Sequence, residues 1–169
     1  MTLWRRRWKG AAWMDNISSL LGLALRAGRL AVGEEPVGTA SRSHKAYLLL
    51  LASDAADNTI RRAHHFTQTG TNTICLTVPM TKEELGGALG RASCAMLAVT
   101  DVGFAAALAK RLASVDEQTF GSARDALTPK AQRANKRRKL SKKGKRGTER
   151  GSKSPAEQET RMDDRKNRS

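Results

Sequence analysis

The chain is poor in the residues that build most reactive sites. Of its 169 residues only seven are aromatic. Its two cysteines, Cys75 and Cys94, stand far apart among apolar neighbours and form no C-x-x-C pair. That spacing argues against a disulfide framework and fits a reducing compartment. The three histidines, His44, His64 and His65, match no zinc-ligand spacing with them, and the adjacent His64 and His65 would face different sides of a helix. There is no phosphate-loop sequence and no G-x-S-x-G, and the glycines Gly86, Gly87 and Gly90 fit neither pattern. No apolar run approaches the roughly 20 residues that cross a bilayer. The N-terminus is basic and then weakly apolar, without the continuous apolar stretch of about 7–15 residues of an export signal. Asp54, Asp57 and Asp101 follow apolar runs, where each reads as a helix cap. No nucleophile, base and oxyanion donor assemble. The expectation is a cytoplasmic protein that is not an enzyme and needs neither cofactor nor metal.

What the chain has is positive charge. It carries 31 Lys and Arg against 16 Asp and Glu, a net charge of +15. The excess is uneven: +4 over residues 1–13, +2 over 14–112 and +9 over 113–169. The middle is therefore an ordinary globular balance with basic arms on either side. Such arms attract polyanions, because each neutralised phosphate releases condensed counterions. An anionic membrane would attract them too, but the C-terminal arm lacks the apolar face that a surface helix needs. Nucleic acid is the expected partner.

Periodicity organises the middle. Ile17, Leu20, Leu21, Ala24 and Leu25 form one helical stripe, capped by Asp15 or Asn16 and stopped at Gly28. Leu30–Val32 is a short strand. Glu34-Glu35-Pro36 opens a second helix, with acids in its first turn and proline near its first position. Residues 47–52 form an unbroken apolar run, the mark of a strand covered on both faces. A third helix follows, capped by Asp57 and ended by Gly70. Residues 73–78 are the next strand. Thr81-Lys82-Glu83-Glu84 matches a capping box and starts a fourth helix. Residues 96–100 are a last strand, and Asp101 caps a last helix to about Leu112. Strands alternating with helices predict an α/β fold, a three-layer α/β/α sandwich with a four-stranded sheet. Past Leu112 the large aliphatic residues nearly vanish. Residues 113–169 are expected to be a disordered Lys/Arg-rich tail, in which residues 122–138 become helical only on a polyanion. Residues 1–13, with Trp4, Trp8 and Trp13, are read as a disordered leader or an extension upstream of Met14, the alternative being a basic arm that stacks on bases.

Four stretches go beyond a generic α/β pattern: Leu20–Leu30 (LLGLALRAGRL), Gly33-Glu34-Glu35, Leu49–Thr59 (LLLASDAADNT) and Thr81–Arg91 (TKEELGGALGR). With the Ala98-Val99-Thr100-Asp101 run, they resemble the L7Ae-type ribosomal protein family, in particular its small bacterial RNA-binding branch, over residues 14–112. The resemblance implies a domain that binds kink-turn-like RNA. The junction of the first strand with the second helix would enter the major groove near sheared G·A pairs. The loop before the last strand would support a flipped-out nucleotide. Transferred to this chain, the first element is Gly33, Glu34, Glu35 and the turn beyond, and the second is Arg91, Ala92, Ser93, Cys94 and Ala95. Thr39 stands where many members carry lysine, so the resemblance leaves positive charge to Arg42, Lys45, Arg91 and the tail. The expected partner is ribosomal RNA or another kinked RNA, with the ribosome as its setting, bound by a monomer. Two other roles stay open from sequence: a protein-interaction adaptor, or an RNA-binding accessory to a modifying enzyme acting in trans.

Overall fold

The computed structural model describes residues 12–70 and 72–149. The elements run α1 (Ala12–Arg26), β1 (Leu30–Val32), α2 (Glu34–Arg42), β2 (Leu48–Leu51), α3 (Asp57–Thr69), β3 (Ile74–Thr77), α4 (Lys82–Ala88), β4 (Met96–Val99), α5 (Val102–Val115) and α6 (Glu117–Glu149). The strands form one mixed sheet in the order β1-β4-β2-β3. β4 is antiparallel to both β1 and β2, and β3 is parallel to β2. The expected α/β sandwich is what the chain forms.

Strand position explains strand composition. The two central strands, β2 and β4, are buried at every residue, whereas the edge strands β1 and β3 are only partly covered. Alternate side chains of a strand face opposite ways. Leu48 and Leu50 therefore join one core with α1, α4, α5 and α6, through Ile17, Leu21, Leu85, Leu108 and Phe120. Leu49 and Leu51 join a second core with Val37 of α2 and Ala63 of α3. A run of leucines that alternates between two apolar layers has no polar face, which is why it reads as continuous.

Helix ends mostly follow local chemistry. Thr81 accepts from the Glu84 amide at 3.2 Å while the Glu84 carboxylate accepts from the Thr81 amide at 2.8 Å, the expected capping box. The Asp101 carboxylate accepts from the Phe104 amide at 3.1 Å. Two ends differ from expectation. Asp57 is not a cap: Ala56 holds that position, and Asp57 lies in the first turn of α3, where its charge still suits the helix dipole. Helix α1 begins at Ala12, ahead of Asp15. Trp13 and Met14 pack against the larger core, so Trp13 belongs to the domain. Trp4 and Trp8 lie outside the described residues.

The largest correction is at the C-terminal side. The chain does not lose structure after Leu112. Helix α5 continues to Val115, and the Asp116 carboxylate accepts from the amides of Gln118 at 3.2 Å and Thr119 at 3.4 Å, and from the Thr119 hydroxyl at 2.6 Å, starting α6. Phe120, Ala123, Leu127 and Ala131 are all buried. Their three- and four-residue spacing is a single narrow stripe, enough to seat a helix although the segment is poor in large apolar residues. The first compact unit ends at Gln132, and the second begins at Arg133. Within the second unit α6 is helical to Glu149, and residues 135–144 are exposed throughout. The rest of the expected tail, residues 150–169, lies outside the described residues.

Because Phe120 is 1 % exposed, Phe120→Ala is expected to destabilise the protein by about 3–5 kcal/mol in urea denaturation. A loss below about 1 kcal/mol would place α6 outside the core.

Candidate functional site

Antiparallel pairing decides which loops meet. Val32 at the end of β1 lies opposite Leu97, and Leu51 at the end of β2 lies opposite Met96. Thr77 at the end of β3 lies beside Leu51. The carboxyl ends of β1, β2 and β3 and the start of β4 therefore share one end of the sheet. Four connections converge there, following β1, β2 and β3 and preceding β4.

Backbone hydrogen bonds weld these connections together. The Gly33 amide donates to the Met96 carbonyl at 3.1 Å, and the Ala52 amide to the Ala95 carbonyl at 2.9 Å. The Ser53 amide donates to the Met80 carbonyl and the Cys94 amide to the Lys82 carbonyl, both at 2.8 Å. The Lys82 amide donates to the Asp54 carboxylate at 2.8 Å. Asp54 thus caps no helix that follows it directly, and instead takes the first amide of α4, 28 residues further on, beside the Thr81 cap. Nothing in the local sequence signals that partner. Lys82 itself is a polar member of this sheet end that sequence reading missed.

The loop before β4 is shaped by glycine. Gly90 has a φ of +69°, which favours a residue without a side chain. At Gly86 an added Cβ would lie 2.6 Å from the Ser93 Cα. Helix α4 and the loop backbone thus touch directly, and the Gly86 carbonyl accepts from the Arg91 amide at 2.8 Å. Arg91, Ala92 and Ser93 are exposed, whereas Cys94 is buried with its thiol on the Met96 carbonyl at 3.3 Å. Cys94 therefore holds the loop from beneath and presents no side chain to a partner.

Across the sheet end, Gly33 caps α2 with a φ of +95° and no side chain. Glu34 pairs with Arg62 of α3, leaving Glu35 as the exposed acid of the first turn. The other expected residues are spread out. The exposed Thr39 turns its hydroxyl back onto the Glu35 carbonyl at 3.1 Å. Arg42, about 12 Å along the helix from Glu34, borders a shallow cleft with Glu34, Glu35, Gly38, Arg62 and Phe66. Lys45 precedes β2, whose first residue lies opposite Val99, the last residue of β4. It sits at the opposite end of the sheet and does not join the Gly33 junction.

The family model for the ribosomal protein L7Ae/L30e/S12e/Gadd45 family matches residues 15–109. The chain belongs to this family. A protein of unknown function from Bacillus halodurans, of solved structure, is 32% identical with a TM-score of 0.52; the match covers 61% of this chain and 98% of that one. No curated protein matches. The family match stops inside α5, so α6 with its basic second half lies outside the matched residues. Among the described residues no three His, Cys, Asp or Glu side chains are placed to hold a metal ion, and no helix is long and apolar enough to cross a membrane.

Two measurements probe the loop. Gly86→Ala is expected to destabilise by about 1–3 kcal/mol, because the backbone of Ser93 must move, while Gly87→Ala, which meets nothing within 4 Å, should be neutral or slightly stabilising. Equal melting temperatures would refute the contact. Burial pushes the Cys75 thiol up to about 11 and also raises that of Cys94. Both should therefore stay protonated at pH 8 and alkylate far more slowly in the native protein than in urea. A raised thiol pKa stabilises the fold fully below about 9, the ordinary value, and that contribution fades as pH climbs toward 11.

Proposed function

We propose that this protein is a non-catalytic RNA-binding protein that recognises structured, kink-turn-like RNA and works in association with the ribosome. The observation that carries the reading is the convergence of Gly33 and the Arg91–Ala95 loop on one welded sheet end, in a chain of a ribosomal-protein family. The chemistry of the parts supports it. The first amides of α2 have no side-chain cap and suit a phosphate or a base edge. Gly33 allows close backbone approach. Glu34 is already neutralised by Arg62, so Glu35 is the acid left to accept from base amino groups. Arg91 and Lys82, in the connections that reach the same end of the sheet, supply positive charge there. Rigidity matters as much, since a kinked RNA is read by its shape. The core unit would provide that recognition and the basic segment beyond Gln132 affinity without sequence preference.

The test is binding to a short RNA duplex carrying a three-nucleotide bulge flanked by sheared G·A pairs, against a plain duplex of equal length. The full chain and a chain ending at Gln132 should both prefer the bulged RNA, the shorter one binding more weakly and with a shallower dependence on salt. Glu35→Ala with Arg91→Ala should lower the preference about tenfold or more. Equal affinity for the two duplexes would overturn the kinked-RNA reading, and equal salt slopes would overturn the division of labour.

A further inference from the structure

The positive charge of the C-terminal side is more concentrated than a tail. Residues 113–132 carry two basic and three acidic side chains, so the packed half of α6 contributes no excess. Residues 133–149 carry nine basic residues and one acid, Glu149. That stretch is helix. No acid occurs between Asp125 and Glu149, so the charged neighbours at helical spacing are other cations. Arg133–Arg137, Arg138–Lys142 and Lys139–Lys143 are all four residues apart, an arrangement that disfavours an isolated helix.

Direction around the helix is the informative feature. At about 100° per residue, Arg133, Lys136, Arg137, Arg138, Lys139, Lys142 and Lys143 leave no sector wider than about 100° without a cation. A helix lying on one flat anionic surface needs charge on one side only. A membrane-surface helix also needs an apolar face, and the only large apolar side chain in residues 133–144 is Leu140, 61 % exposed. Cations on every side suit a helix with phosphates on both flanks.

From this we infer that residues 133–149 enter a groove of double-helical RNA, between its two phosphate strands, and are not laid along one backbone. The inference rests on the RNA-binding reading above but concerns a different surface. The A-form major groove is narrow and deep, so entry requires a widened site, such as a bulge provides. The fit is by charge and shape, without base contacts.

Three double variants of the full chain test it, each removing two cations from a different side: Arg133→Gln with Arg137→Gln, Arg138→Gln with Lys142→Gln, and Lys139→Gln with Lys143→Gln. All six residues are exposed, and circular dichroism checks that the fold persists. The probe is the bulged duplex with its stems extended by one helical turn, titrated over a salt series. The inference expects all three pairs to lose similar affinity, about three- to tenfold at roughly 0.15 M salt, with each salt slope lowered by about two. One silent pair beside two weakened ones would overturn it in favour of one-sided contact. Three silent pairs with wild-type binding intact would overturn it and leave the core reading standing. Three equal losses in a protein that binds plain duplex as well as bulged would uphold groove entry and remove kinked-RNA recognition. Absence of RNA binding by the wild type would overturn both.

Discussion

The architecture depends on the antiparallel placement of β4 between β1 and β2. Those two pairings bring the end of β1 and the end of β2 to the start of β4. Had β4 run parallel to both, as alternating strand–helix units often do, its preceding loop would lie at the far end of the sheet from Gly33. The Gly33–Met96 and Ala52–Ala95 hydrogen bonds are direct products of this direction. Both central strands are covered on two faces, so a slip by one residue would carry leucine from one core to the other, and the apolar alternation alone does not set their register.

The candidate site inherits its stiffness from that arrangement. Its exposed side chains are few, and its backbone is tied by a closed set of short bonds running through Gly33, Ala52, Ser53, Lys82 and Cys94. Two constraints keep the loop before β4 in place: Gly86 lets α4 touch it from the side, and Cys94 anchors it from below. A surface so built presents a fixed shape with little charge of its own. Residues 14–112 carry only +2, so affinity for a polyanion has to come mainly from elsewhere. Within the core unit the first half of α6 is packed, and in the second unit residues 133–149 carry cations on every side.

Much of the fold was legible because local rules and tertiary needs agree. The apolar runs at 47–52 and 96–100, the capping box at Thr81 and the stop at Gly28 each have a cause within a few residues. Asp57 misled because an aspartate just before a helical pattern suits either the cap or the first turn, and the choice depends on how the chain leaves β2. The packed half of α6 was missed because Phe120, Ala123, Leu127 and Ala131 are a thin stripe in a segment of tail-like composition. Two of the four are alanines, so only the waiting groove in the core tells that stripe from chance. Of the candidate site residues, Gly33 and the Arg91 loop reach one end of the sheet with the first turn of α2, whereas Lys45 stands at the opposite end. Nearness along the chain to α2 implied nearness in space, but nine residues of helix carry the chain across the sheet.

By itself, the sequence determined the alternation of strands and helices, the two-sided burial of the central strands, and the separation of a near-neutral domain from strongly basic flanks. Each of these follows from side-chain type and spacing along a short stretch. Only the tertiary structure decided which loops share an end of the sheet, that Asp54 accepts from the Lys82 amide 28 residues away, that Glu34 is held by Arg62, and that Phe120, Ala123, Leu127 and Ala131 are buried. Those outcomes join residues far apart in the chain, and strand direction and core packing, which no local pattern encodes, bring them together.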